Sequence, residues 1–425
     1  MQIGITDLET FCKPELLVPA GSPEVLHVAV RYGADAVYIG GEAFSLRAKA
    51  KNFTLEEMAE GIKYAHEHGV KVYVTANILA HDRDLDEARE YFGQLADMRP
   101  DAVLIADPGL FMISRETCPD IPVHISTQAN NTNHMTFEFW YKLGVKRVVC
   151  ARELTLEEIK ELRRSIPSDM EIECFIHGAM CISYSGRCLL SAYMAGRSAN
   201  LGECTHPCRW KYYVTEEQRP GEYMPVEENE RGTFLFNSKD LCMIEHIPEL
   251  VSAGIGSFKI EGRMKTALYV ATVARTYRRA IDDLAKSREL YERNMPWYKS
   301  EIGKCTYRQF TTGFYFGRPD ENAQIYDNST YVTESVFLGI IEEVTADGRI
   351  RLTQKNKFCV GDVIEVMRPD GTNSQVTVEA ITDEEGKGQM SAPHACQVIY
   401  VTPRYEEGAQ TAETGDILRT VLISS

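Results

Sequence analysis

The chain has 425 residues, of which 44% are hydrophobic and 25% are charged, the composition of a globular protein with about two or three domains. Its formal net charge of −16 argues against a surface broadly adapted to nucleic acid, because neutralising phosphates requires a basic footprint. The first residues lack the pattern of a secretory signal, and no run approaches about 18 apolar residues. We therefore expect a cytoplasmic protein with no membrane span.

Short apolar runs alternate with helical patterns from Glu15 to Gly262, which is typical of a parallel α/β fold. The predicted strands are residues 16–19, 36–39, 72–75, 102–105, 123–126, 147–150, 172–176 and 257–260. Eight such units favour a closed (β/α)8 TIM-like barrel over residues 1–285. A doubly wound open sheet is the alternative, but Ala20-Gly21-Ser22-Pro23 stands where a glycine-rich dinucleotide fingerprint would follow the first strand.

Two further regions are predicted besides the barrel itself. An insertion at about residues 178–256, between the last two strands, carries a cluster of cysteines, and long insertions in compact folds are usually functional. A helix over residues 266–284 is expected to close the barrel, and a helical linker is predicted for residues 286–335. Residues 336–425 contain short alternating strands with turn signals such as Asp347-Gly348, which predict a small β-barrel domain.

The chain has twelve cysteines, and in a reducing compartment we expect ligands, catalytic groups or core residues rather than a disulfide framework. Cys150 and Cys174 lie in strand-like runs, where burial in the core is expected. Cys242 opens a helical pattern and is also expected to be a core residue. These three are therefore set apart from the clustered cysteines.

Four cysteines form a separate constellation. Cys181 and Cys188 are separated by a Ser-Gly turn, and Cys204 and Cys208 flank a short segment with a proline. Thiolates suit zinc and iron–sulfur clusters alike. Structural zinc sites usually contain two short cysteine knuckles, and only the second pair fits that pattern. The spacing therefore favours a 4Fe-4S cluster, with zinc and unrelated thiols as the alternatives.

The segment Glu173-Cys174-Phe175-Ile176-His177-Gly178-Ala179-Met180-Cys181, together with Ser185-Gly186-Arg187-Cys188-Leu189-Leu190-Ser191, resembles the signature of the collagenase-like peptidase U32 family. The resemblance extends through Ser126-Thr127-Gln128 and Lys259-Ile260-Glu261-Gly262-Arg263 and covers essentially the whole barrel. The family name implies proteolysis. However, the sequence contains neither a His-Glu-x-x-His nor a Gly-x-Ser-x-Gly motif.

Relatives in this family look like oxygen-independent hydroxylation proteins, which implies a 4Fe-4S cluster on Cys181, Cys188, Cys204 and Cys208. The form of the motif and the appended β domain look most like a branch that acts on tRNA, rather than branches for ribosomal RNA or a quinone precursor. The resemblance implies conversion of the wobble uridine to 5-hydroxyuridine with prephenate as the hydroxyl donor. The expected partners are tRNA, prephenate and a paralogous protein.

Polar residues that follow the strands are candidates for the active site, because chemistry in such barrels takes place at the C-terminal ends of the strands. The expected catalytic residues are Arg152, His177, Lys259 and Glu261, and the expected substrate-binding residues are Arg47, Asn77, Gln128 and Arg263. Guanidinium groups suit a dicarboxylate such as prephenate, because they bind carboxylates in a bidentate manner. The alternative for Lys259 and Glu261 is a buried ion pair that holds the barrel together.

Two rival functions stay open at this point. A peptidase would need a reactive thiol paired with a histidine, and His177 with Cys181 is the nearby pair. A zinc-stabilised RNA-binding protein without catalysis is the second rival.

Aromatic candidates for stacking on an unpaired base are Tyr184, Tyr193 and Trp210. Asp35 belongs to a helix-to-strand turn at the opposite rim, where a stabilising role is expected.

Overall fold

The computed structural model describes residues 12–45, 52–181, 188–197, 239–305, 309–317 and 335–421, and also residues 199, 204, 205, 207, 213, 214, 224 and 225. The chain divides into two compact units. The first unit comprises residues 1–26, 35–265 and 308–331, and the second comprises residues 27–34, 266–307 and 332–425.

The first unit is built on a closed parallel barrel. Its strands are β1 (Glu15–Pro19), β2 (Ala36–Gly40), β3 (Lys71–Ala76), β4 (Ala102–Ile105), β5 (Val123–Ile125), β6 (Arg147–Val149), β7 (Glu171–Ala179) and β11 (Ser257–Ile260). Each strand pairs with the next, and β11 pairs in parallel with both β1 and β7, which closes the ring. The predicted (β/α)8 barrel is confirmed, and its strands coincide with the apolar runs.

Helices follow most of the barrel strands. They are α1 (Pro23–Arg31), α2 (Leu55–Glu67), α3 (Leu85–Met98), α4 (Pro108–Thr117), α5 (His134–Lys142), α6 (Leu156–Ser165) and α8 (Ile247–Ser252). Local sequence determines where several of them begin. Thr54 forms a capping box with Glu57 at the start of α2. Asp107 caps α4 and precedes a proline at the first helical position, where the missing N–H has no cost.

The chain between β7 and β11 returns to the barrel sheet before it enters the last strand. It contains α7 (Leu190–Ala195), β8 (Tyr213–Val214), β9 (Met224–Pro225) and β10 (Asp240–Cys242). β10 runs antiparallel to the end of β7, and β12 (Phe310–Thr311) pairs in parallel with β10. The prediction that Cys242 opens a helix is wrong. β7 is nine residues long, and β10 pairs with the backbone groups at its far end.

Two smaller predictions about the barrel are confirmed. The Leu16 amide donates to Asp35 Oδ2 at 2.8 Å, so this carboxylate ties the turn before β2 to β1 and has the stabilising role expected of it. Cys150 and Cys174 are each 2% exposed, as expected for core thiols. Among the helices that the structure describes, we find none with both the length and the apolar character needed to cross a bilayer.

Charged side chains lie buried on the barrel strands. Arg147 Nη1 lies 2.5 Å from Glu15 Oε1 and 3.5 Å from Glu173 Oε2. Lys259 Nζ donates to Glu173 Oε1 at 2.7 Å. Glu173 is fully buried, and Arg147 and Lys259 are 5% and 4% exposed. Buried charges of this kind are tolerated only where each has an opposite partner, so these strands depend on a matched set of acids and bases.

The second unit contains two helices and an antiparallel barrel. Its elements are α9 (Ala267–Lys286), α10 (Arg288–Gly303), β13 (Ser335–Val344), β14 (Ile350–Thr353), β15 (Val363–Met367), β16 (Asn373–Asp383), β17 (Gly388–Gln389), β18 (Val398–Tyr405) and β19 (Ile417–Val421). The pairing runs β15-β19-β13-β14-β18-β16 and closes through a β15–β16 pair, while β17 adds to β16. The predicted small β-barrel is confirmed.

A buried carboxylate in the second unit is surrounded by cations. Glu301 Oε2 accepts from Arg419 Nη2 at 2.9 Å and from Arg275, and Glu301 Oε1 accepts from Lys304 Nζ at 2.6 Å. Burial alone would raise the pKa of Glu301, but the three cations lower it to about 2. The carboxylate is therefore ionised at neutral pH.

Replacement of Glu301 should weaken the protein in a pH-dependent way. The folded-state pKa lies below the unfolded value near 4.5, so the stabilisation is present above about pH 4.5 and is lost as the pH falls towards 2. Glu301→Gln should lower the free energy of unfolding by about 3 kcal/mol at pH 7 and flatten its pH dependence in that window, measured by urea unfolding. The control Glu292→Gln, an exposed acid on α10, should cost at most about 0.5 kcal/mol. Equal losses in both variants would contradict the role of the cluster.

Candidate functional site

The C-terminal ends of the barrel strands carry most of the residues predicted from the sequence. Arg152 follows β6, and Glu261 and Arg263 follow β11. Asn77 follows β3 and Gln128 follows β5, while His177 lies within β7. Arg47 and Cys208 lie outside the described residues. The fold therefore places these six residues at or next to the rim where such barrels carry out their chemistry.

Arg152 is held at this rim by three neighbours. Its Nη1 donates to the Ala179 carbonyl at 2.7 Å, and its Nη2 donates to Glu261 Oε2 at 3.1 Å. The guanidinium carbon lies 3.9 Å from the centre of the Phe175 ring, a cation–π distance. Within the described part of the chain, Arg152 Nε is buried and has no hydrogen-bond partner. The side chain is thus fixed in position, and its Nε–H group has no acceptor among the described residues.

Lys259 and Glu261 do not form the ion pair proposed as their structural alternative. Lys259 pairs with Glu173 at 2.7 Å, whereas the carboxylate of Glu261 pairs with Arg152. Glu173 lies on the neighbouring strand β7, within reach of Lys259, while Glu261 lies beyond the end of β11 at the rim. Burial lowers the pKa of Lys259, and the charge of Glu173 opposes that shift. The ammonium lies 4.6 Å from the ring centre of Tyr38, beneath the rim rather than on it.

Arg263 lies in a polar nest formed by the strand ends. Its Nη1 donates to Thr75 Oγ1 at 2.5 Å and to Ser45 Oγ, and these two hydroxyls lie 2.8 Å apart. A Cβ at Gly40 would lie 2.2 Å from Arg263 Nη1, so only glycine leaves room for this guanidinium. Arg263 is 6% exposed, which makes it a deeply set cation at the barrel mouth.

Asn77 and Gln128, both predicted to bind substrate, are in direct contact. Asn77 Nδ2 donates to Gln128 Oε1 at 3.1 Å and to Ser126 Oγ at 3.3 Å. The loop after β5 is fixed from below by Asn131, which donates to the carbonyls of Ser126 and Val149. The two amides therefore form one polar group on a rigid support.

His177 is buried, with 1% of its surface exposed. Burial lowers its pKa to about 3, and the positive charge of Lys265 acts in the same direction. At neutral pH the ring is therefore a neutral imidazole, which can accept or donate a hydrogen bond but carries no charge. Its ring centre lies 5.6 Å from that of Phe310 on β12.

The predicted ligand cysteines lie just beyond β7 and on either side of α7. Cys181 is exposed, and Cys188 and Cys204 are partly buried. A hydrogen bond of 3.1 Å from the Thr205 amide to Ser191 Oγ ties α7 to the residue after Cys204. Within the described residues, which exclude Cys208, no three side chains of a type that binds metal converge. The ligand set stays a prediction, and the thiol donors that the sequence offers fit an iron–sulfur cluster or zinc chemically.

The sequence profile of peptidase family U32 matches residues 21–325. The chain belongs to this family. The profile of the U32 C-terminal domain matches residues 333–419. The U32 chain is 41% identical over 388 residues to tRNA hydroxylation protein P1 of Bacillus subtilis (strain 168), with 91% of each chain covered.

Two other relatives are a second tRNA hydroxylation protein and a protein named as a protease. The chain is 38% identical over 421 residues to tRNA hydroxylation protein P of Escherichia coli (strain K12), covering 90% of this chain and 92% of that protein. It is 44% identical over 311 residues to an uncharacterized protease of Methanocaldococcus jannaschii, covering 72% of this chain and 74% of that protein.

Several residues that shape this U32 site were not singled out from the sequence. Glu173 and Phe175 lie within the family signature, where they support Lys259 and Arg152. Gly178, in the same signature, has a φ of +108°, and a Cβ there would lie 2.5 Å from the Glu261 carbonyl oxygen. The glycine therefore allows β7 to pass close to the segment that carries Glu261. A glycine within an otherwise apolar strand is the signal that could have found it.

The close approach at Gly178 predicts that an added methyl group lowers the free energy of unfolding. Gly178→Ala meets both a left-handed backbone and a clash with the Glu261 backbone, whereas Gly69→Ala, at φ +71° with open space around it, meets only the backbone strain. Gly69→Ala should cost about 1–2 kcal/mol in denaturant unfolding. Gly178→Ala should cost at least about 1 kcal/mol more. Equal costs would show that the contact with Glu261 tolerates a side chain.

Proposed function

We propose that this chain hydroxylates the wobble uridine of tRNA to 5-hydroxyuridine without molecular oxygen, using prephenate as the hydroxyl donor and a 4Fe-4S cluster. The observation that carries the proposal is the similarity, over about nine-tenths of the chain, to two proteins named for tRNA hydroxylation. The rim of the barrel supplies groups suited to each reactant.

Arg152 and Arg263 are the groups proposed to bind the carboxylates of the donor. Among the described residues, Arg152 Nε has no hydrogen-bond partner and its guanidinium plane is fixed, and Arg263 lies in its nest of hydroxyls at the same rim. Fixed guanidinium groups bind carboxylates with defined orientation and lose little side-chain entropy in doing so. Arg47 is proposed as a third cation. Glu261, paired with Arg152, keeps that guanidinium in place before the donor binds.

Asn77 and Gln128 are proposed to bind the uracil ring. A primary amide offers both a donor and an acceptor, which matches the alternating carbonyl and imide N–H groups along the edge of uracil. Tyr193, on α7, is 88% exposed and is available for stacking on an unpaired base. The other two aromatic candidates, Tyr184 and Trp210, lie outside the described residues.

The cluster is proposed to be held by Cys181, Cys188, Cys204 and Cys208. Cys181 lies two residues beyond the end of β7. When bound, it would supply one-electron chemistry at the barrel mouth. His177 stays neutral beside this segment because of its low pKa, so it acts as a hydrogen-bonding group rather than as a charged proton donor.

A peptidase is less well supported, although one relative is named as an uncharacterized protease. The proposed thiol and imidazole differ sharply in environment, since Cys181 is exposed and His177 is buried. A zinc-stabilised protein without catalysis differs from our proposal in its metal, and analysis of the purified protein for iron, sulfide and zinc distinguishes the two.

Substitution of Arg152 tests the donor site. In an assay of purified protein with tRNA and prephenate, Arg152→Lys should raise the KM for prephenate at least about tenfold, because a point charge cannot bind a carboxylate in a bidentate manner. Arg152→Ala should lose more, and the KM for tRNA should change little in both. Arg89→Ala, an exposed arginine paired with Glu116, is the control. An unchanged KM for prephenate in Arg152→Ala would rule out this role.

Substitution of the cysteines tests the cluster. Protein purified anaerobically should contain about four iron and four sulfide per chain and absorb in the visible range. Cys181→Ala and Cys204→Ala should each lose iron and 5-hydroxyuridine formation, measured by nucleoside analysis of tRNA from a complemented deletion strain. Cys12→Ala, an exposed cysteine outside the set, should retain both. A colourless protein with stoichiometric zinc would contradict the proposal and favour the zinc alternative.

A further inference from the structure

The hydroxyl of Tyr315 is bonded to the barrel strand that supports Arg152. Tyr315 follows β12 in the chain, and its Oη donates to the Phe175 carbonyl at 2.6 Å. The side chain is 7% exposed. Burial raises the pKa of this hydroxyl well above its ordinary value, so the group stays protonated and acts as a donor. This bond joins the chain after β12 to the middle of β7.

The Phe175 carbonyl lies where β7 extends past the end of its neighbour β6. Val149, the last residue of β6, pairs with Glu173, and the Cys150 amide donates to the Glu173 carbonyl at 2.9 Å. Successive carbonyls of a strand point to alternate sides, so the Phe175 carbonyl points the same way as that of Glu173, where β6 offers it no amide. A buried carbonyl in this position needs a donor from outside the ladder, and Tyr315 supplies it.

The opposite side of β7 is irregular at the same place. The pairing with β11 runs from Lys259 with Phe175 directly to Ile260 with His177, so it skips one residue of β7. Bulges of this kind re-aim side chains and are common at barrel rims and beside active sites. The Tyr315 hydroxyl therefore contacts β7 where the ladders on both of its sides are interrupted.

Tyr315 also contacts the far end of the loop that carries Arg152. Residues 150–155 connect β6 to α6, and Arg152 lies in this loop. The Tyr315 carbonyl accepts from the amide of Leu156, the first residue of α6, at 2.9 Å. The positive charge of Arg152 opposes the rise in the pKa of Tyr315, as a nearby guanidinium does. Tyr315 thus holds both β7 and the start of α6, on either side of Arg152.

We propose that Tyr315 is a positioning residue for the donor site, since its hydroxyl fixes the β7 backbone at Phe175 and thereby the ring against which Arg152 packs. Arg152 depends on β7 at two points, the Phe175 ring at 3.9 Å and the Ala179 carbonyl at 2.7 Å. A shift of β7 at the bulge moves both supports. Because Arg152 is the proposed site for the donor's carboxylates, this role rests on the proposed function, but the environment of the guanidinium can be measured without any reaction.

Removal of the Tyr315 hydroxyl should loosen Arg152. Phenylglyoxal, which modifies accessible arginines, should react with Arg152 at least about threefold faster in Tyr315→Phe than in the wild type, measured by mass spectrometry of peptides, because a buried carbonyl loses its donor. The exposed Arg89 should react at the same rate in every variant.

Tyr32→Phe is the matched control. Tyr32 belongs to the second unit, is 1% exposed, and its hydroxyl likewise donates to a backbone carbonyl, that of Met367, at 2.8 Å. Thermal unfolding should show similar losses in the two tyrosine variants, because each removes one buried hydrogen bond. The modification rate of Arg152 should nevertheless stay unchanged in Tyr32→Phe.

Kinetics test the consequence for the donor. Tyr315→Phe should raise the KM for prephenate about threefold or more and leave the KM for tRNA unchanged, whereas Tyr32→Phe should change neither. In an Arg152→Ala background, Tyr315→Phe should have no further effect on the KM for prephenate, because the hydroxyl acts through the guanidinium.

The outcomes separate this role from the proposed function. An Arg152 that reacts no faster in Tyr315→Phe, or equally faster in Tyr32→Phe, would overturn the positioning role, and so would additive effects in the double variant. Faster modification in Tyr315→Phe alone, combined with a KM for prephenate that Arg152→Ala leaves unchanged, would support the hold of Tyr315 on Arg152 and contradict the proposed donor site.

Discussion

The carboxylate of Glu173 is the group on which the barrel interior and its mouth both depend. It lies fully buried on β7, with Oε1 bonded to Lys259 and Oε2 within 3.5 Å of Arg147. Removing one partner from a buried ion pair typically costs about 3–5 kcal/mol, because the remaining charge is left without compensation. Glu173 neutralises two cations at once, so the strands that carry Lys259 and Arg147 are coupled through it.

This coupling reaches the rim through an aromatic ring. The Lys259 ammonium lies 5.4 Å from the centre of Phe175, and the guanidinium of Arg152 lies 3.9 Å from the same centre. Arg152 in turn bonds to Glu261. A series of charges and one π system thus runs from the buried strands to the barrel mouth. A guanidinium held in this way is already oriented before an anion arrives, which is how a rigid scaffold lowers the entropic cost of binding.

Local sequence patterns predicted the strands and helices well, because the residues that determine each element lie close together in the chain. The apolar run at 102–105 became β4 with every residue buried, and Thr54 with Glu57 forms a capping box at the start of α2. The partner of Lys259 could not be predicted in this way. Glu173 lies in the signature and Glu261 lies close to Lys259 in the chain, and the choice between these two acids depends on strand pairing and on which acid lies beyond the strand end. The return of Cys242 to the sheet likewise depends on the free edge of β7, a feature of the assembled barrel.

The pairing of Asp240 with Ala179 means that the chain departs from the barrel and rejoins it at neighbouring positions on one ladder. The free energy of closing a chain segment grows only with the logarithm of its length, about 0.6 kcal/mol for each doubling. The stability of the barrel is therefore nearly independent of how long the intervening stretch is. That stretch can change in length while the strands beneath it remain as they are.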